Sequence, residues 1–454
     1  MTKRELVKNA IKIQEVPRFP WIPFVGCHAG SLLGKTATEF LQSKDDIVKG
    51  INHAIELYNA DGIPVIFDLQ IEAEAMGCKL NWVDDNPPAV ISHPMAEGVA
   101  LEDIKMPTLE DGRIQLAMDT ARELRAANPD IALYGLITGP FTLALHLLGT
   151  DIFMDMMMDP DKITNLMEFT TKVGNFMAEE YIKAGVDVVA IVDPMTSQID
   201  PMSFETFVQP YAAEVFETIK KNGALSSFFV CGNAKQNIEG MCNCGPDNIS
   251  IDENIPLDFV RDVALEKGVS FGGNIQLTVS ILMGTEEDCQ RDALACMDIG
   301  GKKGFLLAPG CDIPMETPVN NMKAIADLVH DDLRQGELRA SEATKEEVET
   351  LDLTDHWKED QVIVDVVTLN SKSCAACQYM YEAAKVVCEP YGKKVVCREY
   401  NIMTPEGVAM MQTLGVRNLP TVVIDGNIEF ISQIPPLKDI SDKIDAQIDK
   451  KGIK

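Results

Sequence analysis

The chain has 454 residues, 46% of them hydrophobic and 24% charged, with a formal net charge of −30. A length beyond what one core serves predicts two domains, and the acidic balance excludes nucleic acid, whose phosphates need a basic footprint. The apolar runs are of strand length and too short for a membrane span. The start of the chain moves into helical spacing without a signal-like block, so a cytoplasmic protein with its twelve cysteines reduced is expected.

In chain order, strands are predicted over 19–26, 62–68, 131–140, 187–194, 224–232, 248–253, 270–275 and 301–311. Amphipathic helices are predicted between them, for example over 44–58, 113–127 and 161–184. Eight strand–helix alternations predict an α/β fold, a (β/α)8 TIM barrel, over residues 1–335. An open doubly wound sheet ranks second, because no Gly-x-Gly-x-x-Gly opens a helix. Residues 76–107, with paired prolines, read as a long loop over the barrel mouth. The run Phe153-Met154-Asp155-Met156-Met157-Met158 is read as helix packing in preference to an adaptable docking surface. Residues 336–360 read as an acidic linker. From 361 to 454 the order is β-α-β-α-β-β-α, with Cys374-Ala375-Ala376-Cys377 at the start of the first helix and Leu419-Pro420-Thr421 opening a strand.

Reading the end of each barrel strand collects His28, Asp68, Thr138, Asp193, Cys231, Asp252, Asn274 and Cys311. In a parallel barrel these converge on the catalytic rim. Cys231 and Cys311 each end an apolar run beside a glycine. Two soft donors at one rim point to a thiolate-bound metal, zinc first; the alternative is that each is a small buried hydrophobe. Asp252 is placed to add an oxygen ligand, and His28 or His146 an imidazole. Asp68 and Asp193 are the candidate catalytic acids, though an aspartate after a strand also serves as a helix cap. His28, His146 and Asn274 are the candidate substrate-binding groups.

Several segments together resemble the uroporphyrinogen decarboxylase superfamily over the first three quarters of the chain. They are Phe67-Asp68 with Glu72-Ala73-Glu74-Ala75-Met76-Gly77-Cys78, Gly139-Pro140-Phe141-Thr142-Leu143, Val230-Cys231-Gly232-Asn233, Gly272-Gly273-Asn274 and Pro309-Gly310-Cys311-Asp312. Decarboxylases of that superfamily carry paired arginines near the N-terminus, whereas the matching loop here is Gly26-Cys27-His28-Ala29-Gly30-Ser31-Leu32, with none. The chain is more similar to the cobalamin-dependent methyltransferase branch. That resemblance implies methyl transfer between a corrinoid protein and a small-molecule thiol or similar acceptor, assisted by zinc on a His-x-Cys motif and a Gly-Cys. Cys231 and Cys311 match the sulfur positions, but Phe229 stands where the branch has histidine. No Asp-x-His-x-x-Gly motif is present, so cobalamin is expected on a partner protein or free. The oligomeric state is left open.

The tail resembles the thioredoxin and glutaredoxin superfamily. Cys374 is the expected attacking thiol, since a helix start lowers a thiol pKa, Cys377 the resolving thiol, and Pro420 the cis-proline beside them. Cys388 and Cys397 are read as core. The competing assignment is a thiol–disulfide oxidoreductase that keeps a degenerate, metal-free barrel as a binding module; a non-catalytic corrinoid or tetrapyrrole binder is the third.

Overall fold

Ala132–Thr138 is buried along its whole length, as a strand must be when helices cover one face and a barrel interior the other. In the computed structural model, which describes residues 1–341, 351, 353, 356–372 and 374–453, the chain divides into two units, Met1–Ala343 and Thr344–Lys454. In the first unit β1 is Gly62–Pro64, and a small hairpin of β2 (Leu80–Asn81) and β3 (Ala89–Val90) follows. Then come β4 (Ala132–Thr138), β5 (Val188–Val192), β6 (Leu225–Val230), β7 (Asn248–Ile251), β8 (Ser270–Ile275) and β9 (Phe305–Pro309). Seven strands form one parallel sheet in the order β1-β4-β5-β6-β7-β8-β9.

The first predicted strand, over 19–26, is reduced to a short extended segment. Trp21 bridges Leu307 of β9, and the N–H groups of Asp61 and Gly62 donate to its carbonyl. Pro20 and Pro23 lack the N–H groups a longer ladder would need. The segment therefore touches both sheet edges and curls the sheet closed. At the opposite end from the strand C-termini, the helix Lys3–Ile11 packs Leu6, Val7, Ala10 and Ile11 against the interior cluster. Arg4, Lys8 and Arg125 all pair with Asp187, which precedes β5.

Helix boundaries follow local chemistry. Pro160–Ala184 starts with Asp159 accepting from the Lys162 N–H and a proline at its first turn. It stops at Gly185, whose φ of 99° suits glycine. Asp151–Met158 corrects one expectation: Met154, Met157 and Met158 are exposed, so the methionine run is not core packing. Among the described residues no single helix is long and apolar enough to cross a membrane.

The second unit is a four-stranded sheet ordered β11-β10-β12-β13. It comprises β10 (Val362–Thr368), β11 (Val395–Asn401), β12 (Thr421–Ile424) and β13 (Asn427–Ile431), with β10 and β11 parallel and the others antiparallel. Its core places Val362, Val364 and Val366 of β10 against Met380 and Ala384 of the helix Ala375–Cys388 and Ile440 and Ile444 of the helix Leu437–Lys451. The period-two alternation leaves Asp365 on the other face, buried and hydrogen-bonded to His356 at 2.6 Å. The Leu419–Pro420 peptide is cis. Of the stretch expected as a linker, residues 336–340 belong instead to the helix Asp332–Ala340, while 342–350, 352, 354 and 355 lie outside the described residues.

Candidate active site at the barrel mouth

Two glycines shape the turns that carry the rim thiols. Gly232, after Cys231, has φ +93°, and a Cβ there would press on Ser197; a Cβ on Gly310, before Cys311, would collide with Glu253. With both turns tight, Cys231 and Cys311 come to a Cα–Cα separation of 6.3 Å across 80 residues of sequence and are joined as a disulfide. The convergence expected from strand-end position is present. The expected reduced state is not.

The zinc set does not assemble around them. Asp252 accepts from the Gly232 N–H, from the Asn254 N–H at 2.9 Å and from Asn254 Nδ2 at 3.0 Å. Its carboxylate thus holds the loops together, and burial raises its pKa to about 6. Phe229 fills the matching histidine position, packed between Phe24 and Phe67 with ring centroids 4.9 and 6.1 Å away. Among the described residues no three His, Cys, Asp or Glu side chains converge closely enough to hold a metal ion. With the two sulfurs joined to each other, this donor set does not fit tetrahedral zinc.

Both candidate histidines are engaged or enclosed. His28 shares its Nε2 with the Tyr58 hydroxyl at 2.6 Å and its Nδ1 with the Met315 carbonyl at 3.0 Å. Burial holds its pKa down at about 4, which keeps the ring neutral. His146 is buried inside the helix Pro140–Leu148, and burial pushes it down to about 3. Asn274 donates to the Asp252 and Ile255 carbonyls at 3.1 and 2.9 Å, so it braces the turn after β7.

The two candidate acids have separate settings. Asp193 accepts from the Phe141 and Thr142 N–H groups and the Thr142 hydroxyl at 3.2, 2.8 and 2.6 Å. It therefore caps the helix after β4, with a pKa raised to about 6 by burial. Asp68 takes Arg113 Nη1 at 2.5 Å and the Gln70 N–H at 2.9 Å. Arg113 also binds Glu74 at 2.7 Å and lies over the Trp82 ring at 4.7 Å. Glu72 binds the N–H and hydroxyl of Thr138 at 2.9 and 2.8 Å, and burial brings its pKa to about 7.

Sequence reasoning missed three groups here. Arg113, the partner of Asp68, begins a helix far downstream and gave no local signal. Asp312 accepts from the Gly26 N–H at 2.7 Å, and burial raises its pKa well above the usual range. Glu253 has one oxygen on the Leu277 N–H at 3.2 Å and the other, Oε2, buried without a hydrogen-bond partner. Burial, then the neighbouring Asp252 charge, lifts its pKa to about 8. Asp312 and Glu253 directly follow the named residues Cys311 and Asp252, so reading one position further would have found them.

The sequence pattern of uroporphyrinogen decarboxylases (URO-D) matches residues 2–331, which is the whole barrel. The chain belongs to the uroporphyrinogen decarboxylase family. Within it, the methylcobamide:CoM methyltransferase MtbA of Methanosarcina acetivorans is 25% identical over 335 residues, covering 72% of this chain and 97% of the relative. A uroporphyrinogen decarboxylase of Anaeromyxobacter sp. (strain Fw109-5) is 28% identical over 306 residues, covering 64% and 86%. The solved structure of a methyltransferase from Methanosarcina mazei superposes with a TM-score of 0.68 at 24% identity, over 73% of this chain and 98% of that one. The URO-D family match ends before the second unit.

Proposed function

We propose that the barrel is a corrinoid-dependent methyltransferase that takes a methyl group from a methylated corrinoid, carried by a partner protein or free, to a thiol or similar nucleophile. The observation that carries this reading is the charge of the mouth. Arg113, which precedes the helix Ile114–Ala127, reaches Asp68 at the end of the β1 segment, and both Asp68 and Glu74 already pair with it. The carboxylates of a uroporphyrinogen would meet the acid side chains of Asp68, Asp252, Glu253 and Asp312, while Arg113 is already shared between two carboxylates, and added buried charge without a partner is costly. Methyl transfer to a thiol makes no such demand. The methyl group leaves cobalt without the bonding electron pair, the thiol loses its proton, and a thioether and a corrinoid reduced by two electrons result. Glu253, with its pKa near 8 and a free buried oxygen, is the rim carboxyl best matched to accept that proton. No step is routed through zinc.

We read the second unit as a thiol-redox module. Cys374 precedes the helix Ala375–Cys388, and its sulfur accepts from the Cys377 N–H at 3.4 Å. Hydrogen bonds from the Cys377 thiol, then from backbone N–H groups, lower its pKa, while burial pushes Cys377 well up. Cys388 is buried and Cys397 partly so, in keeping with core positions.

The test of methyl transfer supplies the full chain with methylcob(III)alamin and a panel of thiols and follows the absorbance of Co(I) or Co(II). Decarboxylation of uroporphyrinogen with no demethylation of the corrinoid would overturn the assignment.

A further inference from the structure

The second unit holds two further thiols besides Cys374 and Cys377, and its topology brings them together. Cys388 is the last residue of the helix Ala375–Cys388, and Cys397 is the third residue of β11. In the parallel pairing of β10 with β11, Cys397 stands opposite Val364, and residues paired this way point to one face of the sheet. Val364 faces the helix, so Cys397 faces it too. On the helix, Met380, Ala384 and Cys388 follow each other at four-residue spacing and form the stripe that packs on the sheet. The short connection Glu389–Lys394 then returns the chain from the helix end to the strand start, which leaves the two cysteines at the same end of the layer. Both pack in one apolar cluster, Cys388 buried and Cys397 partly exposed, and both are free.

The Cys388 thiol donates a hydrogen bond to the Cys397 sulfur. That bond lowers the Cys397 pKa against burial, Asp365 and Glu399, with Lys385 acting in the same sense as the bond. The same bond, then burial, pushes Cys388 well up. β11 is an edge strand, so Cys397 can be reached from solvent while Cys388 stays behind it in the core. We propose that Cys388 and Cys397 are a second redox dithiol of this unit, with a small-molecule disulfide as its oxidising substrate, Cys397 as the attacking sulfur and Cys388 as the resolving one. The assignment goes beyond the redox reading of Cys374 and Cys377 and does not need it. The helix between the two pairs is 14 residues long, about 21 Å, which is too far for direct exchange from one pair to the other.

In the exchange, the Cys397 thiolate attacks one sulfur of the small disulfide. The S–S bond of that molecule breaks, and its other sulfur leaves as a thiolate that takes up a proton. Cys388 then loses its proton and attacks the Cys397 sulfur. The Cys388–Cys397 bond forms, and the second small thiolate is released and protonated in turn. Two electrons and two protons pass from the cysteine pair to the small disulfide, which ends as two thiols.

The experiment uses the reduced full chain and an excess of oxidised glutathione as the small disulfide, with remaining thiols blocked by a maleimide at intervals, then tryptic mass mapping. Lys393 and Lys394 lie between the two cysteines, so trypsin separates them and their disulfide appears as two linked peptides, 386–393 and 395–398. In the wild type the linked peptides should accumulate. The Cys374→Ser/Cys377→Ser double variant should form the same link at the wild-type rate. Cys388→Ala should hold glutathione on Cys397, and Cys397→Ala should take up glutathione on Cys388 about tenfold more slowly than that, or not at all. No link in the wild type would overturn the proposal. Loss of the link in the double variant would overturn it as well, because oxidation would then reach the pair through Cys374. Equal uptake by Cys388 and Cys397 in the two alanine variants would remove their assigned roles. The wild type and the double variant leave the core intact, so they decide the question even if an alanine variant unfolds. Should Cys374 and Cys377 fail to close in the same samples while the link forms, the redox reading of that pair falls and the second dithiol stands.

Discussion

Phe229 lies two residues before Cys231, and the period of β6 places it on the same face, toward the barrel interior. Phe229→His would put an imidazole beside the rim thiols and create, in the reduced protein, a three-donor set that the wild type lacks. Without metal the change is costly. The ring contacts with Phe24 and Phe67 are worth about 0.5–1.5 kcal/mol each, and an imidazole buried without a partner costs about 1–3 kcal/mol. The expected loss is therefore about 2–6 kcal/mol in chelator. Zinc held at about 100-fold over its Kd should return about 2.7 kcal/mol to the variant. Urea titration of the reduced protein, in chelator and in buffered zinc, reads both numbers from the barrel's transition. An equal gain from zinc in the wild type would refute the reasoning, because some other residue would then complete the set. A loss below about 1 kcal/mol in chelator would show that the ring is not packed as described.

Arg113→Met should destabilise the barrel by about 3–5 kcal/mol, because it leaves Asp68 buried without its cation, and adding Asp68→Asn should recover much of this in urea midpoints. Glu253 binds its proton more tightly folded, at about 8, than unfolded, at the ordinary 4.5, so its contribution to stability is full below pH 4.5 and is lost as pH rises to 8. Asp252 acts with the same sign between 3.8 and 6. Glu253→Gln should flatten the loss between pH 6 and 8 in urea midpoints, and an unchanged slope would remove Glu253 as its source. The same substitution should slow methyl transfer about a hundredfold if Glu253 accepts the thiol proton. In the reduced full chain at neutral pH, Cys374 should alkylate faster than free cysteine and Cys377 far more slowly, as time-resolved mass mapping would show.

The interior strands were legible because a strand covered on both faces reads as an unbroken apolar run, as in Val188–Val192 and Phe305–Pro309. Their ends were therefore legible too, and with them the meeting of Cys231 and Cys311. What the meeting does was not, because it depends on a third donor from loops distant in sequence. The role of Asp193 was hidden for the same reason: the helix it caps follows β4, about fifty residues earlier. The methionine run was misplaced because an eight-residue helix has too few turns for its pattern to tell its exposed face from its packed one.

The barrel is sealed by residues that lie near opposite ends of it in sequence, Trp21 and Leu307. Each parallel strand leaving the ribosome pairs with the one before it, so the growing sheet always ends in an unpaired apolar edge. The segment that covers the last of these edges is made first and has no β9 to join until residue 309 has emerged. Synthesis at about 5–20 residues per second leaves that segment without its β9 partner for roughly 15–60 s. During that interval its unpaired backbone groups stay open to pairing with another chain.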